Sequence, residues 1–268
     1  MWSRPPRELS LNEGSLHVWR TSLEPSPDLS RLAEEVLSEK EKERCGRFIR
    51  AEDRARCAAA RAILRIVLSK YVSRSPRSLP ILAGESGKPY LDTSAGSSAT
   101  GVDDVQFNVA HAGNLLLIAV GRGPRVGIDI ERVRNVRGME SIVDDFFDEQ
   151  ERACVRSRKG KARLRAFFRL WTRREAAAKA MGLDLLDAFA RCELPAFDES
   201  RSGFRLDLPE FDARTGAPTV VPAGHMATWW VRDFIPAPGY AGALCVEQEN
   251  TEPSFYEARF GLVRSPVE

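Results

Sequence analysis

Three carboxylates and one ammonium in this chain have the types and spacing of a divalent-cation site. Asp129 and Glu131 lie in VGIDIERVR, and Glu175 and Lys179 in WTRREAAAKAMG. Carboxylate oxygens are hard ligands, suited to Mg²⁺ and similar cations. The first pair belongs to a strand, because Val126, Ile128 and Ile130 alternate with Gly127, Asp129 and Glu131, the period of two expected when one face is buried. Both carboxylates then share a face, with Cα atoms about 6.6 Å apart at a rise of about 3.3 Å per residue. Side chains at that spacing can reach one ion. Brought to about 4 Å, two carboxylates repel by roughly 4 kcal/mol at an effective dielectric near 20, so convergence calls for a cation or a shared proton. A strand whose polar face is simply wet needs neither, and for this pair alone it is the simpler account.

Glu175 sits in a helical pattern. Leu164, Phe167, Phe168, Trp171 and Ala178 recur at three- and four-residue intervals, no Pro interrupts them, and Gly182 follows as a stop. Glu175 and Lys179 form an i, i+4 pair, neighbours about 6 Å apart along the axis. A surface ion pair worth a few tenths of a kcal/mol explains that spacing equally well. His111 at a strand end likewise reads as a hydrogen-bonded structural residue when taken alone.

These residues need a scaffold, and the chain can build one. Its 268 residues are 43% hydrophobic, enough for one large domain or two small ones. Lys and Arg number 40 against 38 Asp and Glu, a formal charge of +2, so no overall basic field calls for nucleic acid. No apolar run approaches the roughly 20 residues needed to span a bilayer, and MWSRPPRELS lacks the apolar core of a signal peptide. A soluble, cytoplasmic protein with no membrane partner is expected. Cys45, Cys57, Cys154, Cys192 and Cys245 are odd in number and never spaced as a zinc pair, so reduced structural thiols are expected.

Along the chain, SLHVWRTSLE reads as a first strand and PSPD as a break before a helix starting at Leu29. Ser38 with Glu41 marks a capping box, and Cys57 to Tyr71 carries the stripe of a long amphipathic helix. GESGKPYLD reads as a Gly/Pro turn and DTSAGSSATG as a flexible loop. QFNVAHAGNLLLIAVG reads as one strand and PRVGIDIE as the next. IVDDFF and DEQERACVRS read as helices, the second capped by Asp148 with Glu151. GFRLDL, MATWWVR and YAGALCVE are strand-like, and the residues from Asn250 look weakly structured.

Several ordered blocks now carry a resemblance. GIDIE, then FF followed by Glu151, then W-x-x-R-E-A-x-x-K-x-x-G resemble the 4′-phosphopantetheinyl transferases, specifically the larger Sfp-type group. Upstream, RFIRAEDRAR resembles the family's F-x-x-x-(E/D)-D-x-x-R segment, GKPY its G-K-P turn, and FNVAHA its F-N-x-S-H-S strand. The likeness runs from about Leu37 to about Gly182.

The resemblance implies an α+β fold of two similar α/β halves about a pseudo-twofold axis, with the active site in the cleft between them. It divides the chain into an N-terminal half at 14–122, which supplies nucleotide-side residues, and a C-terminal half at 123–249, which supplies the metal site and catalytic helix. A weakly structured tail is expected at 250–268. It implies Mg²⁺ held by Asp129, Glu131 and Glu175, with Glu175 or a nearby water as base and Lys179 paired with the diphosphate. Coenzyme A would be the co-substrate, met by Arg44, Arg56, Lys88, His111 and the backbone at Pro89. The reaction implied is transfer of 4′-phosphopantetheine to a serine of an acyl or peptidyl carrier protein, releasing 3′,5′-ADP, by a monomer. The Arg132 to Arg165 segment would face the carrier. Two other classes use the same groups: a Mg²⁺-dependent nucleotide or coenzyme A phosphohydrolase, and a non-catalytic coenzyme A binding protein. Ala110, Ala112 and Arg174 depart from the family's two serines and lysine.

Overall fold

Strand β1 (Leu16–Ser22) begins the first of two four-stranded sheets in the structure, a computed structural model that describes residues 2–72, 74–84, 87–92, 104–183, 203–209, 226–248 and 251–260. Three helices follow, α1 (Pro27–Val36), α2 (Glu39–Gly46) and α3 (Ala51–Ser69). Ser26 accepts from Leu29 N–H and Pro27 occupies the first turn, so α1 starts inside the PSPD segment read as a break. Ser38 and Glu41 form the expected reciprocal capping box on α2. Ile63, Val67 and Leu68 of α3 pack against Trp19, Phe107 and Ile118 of the sheet.

Next come a short hairpin, β2 (Ile81–Ala83) with β3 (Pro89–Leu91), and then β4 (Val105–Ala112) and β5 (Leu115–Arg122). The hairpin replaces the plain turn expected of GESGKPYLD. The single strand expected of QFNVAHAGNLLLIAVG is two, because Gly113 at φ +54° and Asn114 turn the chain and set Ala112 opposite Leu115. The first sheet is ordered β10-β1-β5-β4, where β10 (Ser254–Glu257) runs parallel to β1. That strand corrects the expectation of a weakly structured tail from Asn250: the unpaired edge of β1 binds it, Val18 opposite Phe255.

The chain leaves this sheet at β5 and enters the second at β6 (Val126–Arg132). Helices α4 (Met139–Phe146), α5 (Glu149–Arg156) and α6 (Gly160–Met181) follow, then β7 (Gly203–Pro209), β8 (Met226–Phe234) and β9 (Tyr240–Val246). The second sheet is antiparallel, ordered β6-β9-β8-β7. Asp148 and Glu151 form the capping box of α5, and Gly182 ends α6 at φ +75°. Val18, Ala110 and Leu117 of the first sheet meet Ile128, Ile130 and Leu244 of the second in one apolar cluster. The architecture is a mixed α+β fold.

Small residues let α6 lie close on β6. A Cβ on Gly127 would stand 2.1 Å from the Ala176 carbonyl oxygen and 2.4 Å from the Ala180 nitrogen, so only glycine fits. The carboxylate face of β6 is therefore covered by a helix, which is why Asp129 is only 5% exposed where an alternating pattern suggested a wet edge.

Cys45 and Cys57 form a disulfide with Cα atoms 5.5 Å apart, joining the end of α2 to α3. This corrects the expectation of reduced thiols throughout: two helices packed at a corner bring together cysteines whose sequence spacing gives no sign of it. Cys192 and most of the DTSAGSSATG segment lie outside the described residues. Among the described residues, no helix is long and apolar enough to cross a membrane.

Candidate functional site

Lys179, on α6, links two of the three acids singled out by sequence. Its Nζ donates to Asp129 Oδ1 at 2.6 Å and lies 3.8 Å from Glu175 Oε2. The other Asp129 oxygen, Oδ2, is buried without a hydrogen-bond partner among the described residues. Burial pushes the Asp129 carboxyl above the ordinary carboxylate range, although Lys179 opposes the shift. Burial raises Glu131 as well, and the charges of Asp129 and Glu175 add to it. Glu175 is raised by burial, opposed by Lys179 and reinforced by Asp129. Three carboxylates thus sense one another around a single ammonium.

That arrangement is short of positive charge, and the donor set is the one a hard cation requires. The unpartnered buried Oδ2 fits such an ion. As they stand, no three His, Cys, Asp or Glu side chains among the described residues are closed into a metal cage. Lys179 supplies the countercharge instead.

Residues from the first sheet and its helices reach the same region. Lys88, beside the β2–β3 hairpin, donates from Nζ to the Lys179 carbonyl near the end of α6, and Pro89 follows at the start of β3. Burial, reinforced by the charge of Arg125, brings the Lys88 ammonium down to about 8. His111 is exposed on β4, its imidazole lowered by the atoms crowding it and then by the charges of Lys179 and Arg56. Arg56 on α3 donates from Nε to Asn114 Oδ1 at 3.0 Å in the β4–β5 turn, and its remaining nitrogens meet Asp53 and Glu52. Arg44 stands apart. It is exposed in the last turn of α2, where its charge acts on Arg61.

Two departures from the family pattern acquire a structural account. Ala110 and Ala112 are buried in the apolar cluster between the sheets, where a hydroxyl would need a partner. Arg174 points away from the acids, donating from Nε and a terminal nitrogen to the two oxygens of Glu151 at 3.3 and 2.6 Å. That fork clamps the start of α5 to α6, a geometry a lysine could not reproduce.

The sequence reading passed over two residues that shape the site. Gly127 reads as one beat of the alternation in VGIDIE, although a glycine inside a strand signals close backbone approach. Asn108, 2% exposed, accepts the Ile128 N–H on Oδ1 at 2.9 Å. A lone amide on the core-facing side of an apolar strand was its visible signal.

Residues 21–122 match the family model described as the N-terminal part of 4′-phosphopantetheinyl transferase, and 125–221 match that of the 4′-phosphopantetheinyl transferase superfamily. A 4′-phosphopantetheinyl transferase named HetI from Nostoc sp. is 35% identical over 193 residues, covering 72% of this chain and 77% of that protein. The chain belongs to the 4′-phosphopantetheinyl transferase family. A putative 4′-phosphopantetheinyl transferase from Synechocystis sp. is 33% identical over 147 residues, 55% of this chain and 57% of its own. A Bacillus subtilis 4′-phosphopantetheinyl transferase is 28% identical over 158 residues, covering 58% and 66% respectively. Against these two the match spans between about half and two thirds of the relative's length. For a phosphopantetheinyl transferase the substrate is coenzyme A.

Proposed function

We propose that this chain transfers the 4′-phosphopantetheine group of coenzyme A to a serine hydroxyl of an acyl or peptidyl carrier protein, releasing 3′,5′-ADP. The observation that carries the reading is the Lys179 bridge to Asp129 and Glu175, with a buried carboxylate oxygen left unpartnered. Family membership supplies the class of reaction, and the acids and cations supply the means.

Asp129, Glu131 and Glu175 would hold Mg²⁺. Bound there, the ion would neutralise charge on the diphosphate of coenzyme A. Lys179 would pair with the same diphosphate, as a compact ammonium suited to phosphate oxygens. Lys88, His111 and Arg56 would orient the nucleotide end, with the Pro89 backbone beside the adenine and Arg44 further out. In the transfer, the serine oxygen bonds to the phosphorus that carries pantetheine. The bond from that phosphorus to the bridging oxygen breaks, and its electron pair leaves on 3′,5′-ADP. The serine proton must go to a base, and Glu175 is the candidate among the three acids. A water next to it could serve in the same place.

The two sheets would be the two similar halves of the family fold, related by a pseudo-twofold axis, with the cleft between them. The two matched regions meet at the β5–β6 connection, which supports a division near residue 122. Both sides of the cleft come from one chain, so a monomer suffices. The carrier would approach along the segment from Arg132 to Arg165.

Mass spectrometry of an apo carrier protein incubated with the chain, coenzyme A and Mg²⁺ tests the reading. Transfer adds one phosphopantetheine to the carrier serine. Cleavage of coenzyme A with an unmodified carrier would instead identify a hydrolase. Binding without either product would identify a non-catalytic coenzyme A protein.

A further inference from the structure

Backbone N–H groups along a strand point alternately to its two edges. β6 is the outer strand of its sheet, with β9 on one side, where Ile128 faces Leu244 and Asp129 faces Ala243. β4, the outer strand of the other sheet, runs along the opposite side. Among the described residues, no backbone ladder joins β4 to β6. The Ile128 N–H instead donates to the Asn108 side chain at 2.9 Å, in a buried setting. A buried N–H without a partner is costly, so this one amide specifies where β6 sits against β4.

The location gives the contact its weight. Asn108 shares a face of β4 with Ala110 and Ala112, and the surrounding cluster is apolar, so nothing in the packing alone calls for an amide. One residue after Ile128 comes Asp129, whose Oδ1 must meet Lys179 Nζ at 2.6 Å. One residue before comes Gly127, where α6 touches the strand backbone. β6 is thus held on its face at residue 127 and on its edge at residue 128. The same β4 carries His111.

We propose that Asn108 is a positioning residue for the carboxylate site. Through the Ile128 backbone it fixes Asp129 relative to Lys179, and it registers the His111 side of the cleft against the acidic side. The inference rests on the transferase reading for its activity readout and adds a residue outside the acids and cations that reading uses.

Asn108→Leu removes the acceptor at similar volume, and Asn108→Asp keeps an oxygen in its place. Val18→Ala, in the same apolar cluster, serves as a control for lost packing. In Asn108→Leu, amide exchange at Ile128 should quicken about tenfold or more, as a lost native hydrogen bond allows. Its kcat for carrier modification should fall about ten- to a hundredfold, the effect of a sub-ångström misplacement, with KM for coenzyme A within about threefold. Asn108→Asp should recover Ile128 protection and most of kcat. Val18→Ala should lower Tm yet keep kcat. A kcat for Asn108→Leu within about twofold of wild type would overturn the proposal. So would an equal kcat loss in Val18→Ala, or no recovery in Asn108→Asp. If Asn108→Leu does not fold, Asn108→Ser, whose hydroxyl falls short of Ile128, carries the same test, and full kcat there overturns it. Failure of both to fold would make Asn108 a residue of the fold rather than of the site, which also overturns it. No transfer by the wild-type chain would overturn the transferase reading. Unchanged Ile128 exchange in Asn108→Leu would overturn this one, and needs no carrier.

Discussion

Asp129 keeps one oxygen on Lys179 and leaves the other buried without a partner, so it has the least freedom of the three acids to be replaced. Asp129→Ala removes the charge a cation would use, and Glu175→Gln removes both a proposed ligand and the candidate base. Each should retain the fold and lose transfer by at least about a hundredfold, since several kcal/mol of charge stabilisation are at stake and about 1.4 kcal/mol is a factor of ten. Far-ultraviolet circular dichroism with the carrier mass shift checks both parts, and near-normal turnover by either folded variant would reject the metal trio. Lys88 makes a pH prediction. With its pKa brought to about 8, the ammonium is charged below that pH and neutral above it. A bound anion favours the charged form and raises the pKa, so coenzyme A affinity should be flat below pH 8 and decline above it, by up to about tenfold per unit. Calorimetry from pH 7 to 9.5 measures this in the wild type and in Lys88→Arg, whose guanidinium stays charged throughout. The arginine variant should lose the decline, and two superimposable profiles would remove Lys88 from the anion site.

Helix α6 and strand β6 form one unit, and Gly127 sets the distance between them. An added methyl would collide with backbone atoms of α6 at Ala176 and Ala180, which cannot swing aside as a side chain can. Gly127→Ala should therefore destabilise by about 1–3 kcal/mol through overpacking and, by lifting α6, separate Lys179 from Asp129. A lower Tm with transfer reduced more than about tenfold is expected. Full activity would mean the close approach is not needed. The elements that position the site were legible because their signals are local: the alternation in VGIDIE, the helical stripe through Trp171, and the capping boxes at Ser38 and Asp148. Gly113-Asn114 was an equally local turn signal, but the apolar run on either side of it read as one strand. Other features were not local. β10 pairs with β1 across most of the chain, and Cys45 meets Cys57 only once two helices have packed. The carboxylates were readable as a set through their family blocks, whereas the burial that raises them comes from α6 lying over β6, a tertiary fact.

At the scale of the molecule, a formal charge of +2 hides an uneven surface. A cleft of about 1090 Å³ opens between the start of α6, the exit of β6 and the β8–β9 connection. Arg134, Lys161, Arg165 and Arg169 line it around apolar Val133 and Leu164, with Ile235 74% exposed at its edge. Asp233 is the only acid among the described lining residues, and Arg173 and Arg169 engage it at 2.5 Å each. Its lining thus carries more cations than acids, and Ala241 in that lining is the strand partner of Glu131. An acidic carrier arriving there would be steered by charge, which acts on encounter more than on the chemical step. The double change Lys161→Glu with Arg165→Glu should lower kcat/KM for an acidic carrier by about ten- to a hundredfold at low salt, while KM for coenzyme A stays put. Wild-type kcat/KM should fall as salt rises from about 20 to 300 mM, where the screening length shrinks below about 10 Å, and the double variant should show a flatter slope. Parallel slopes for the two proteins would mean that the carrier docks elsewhere on the surface.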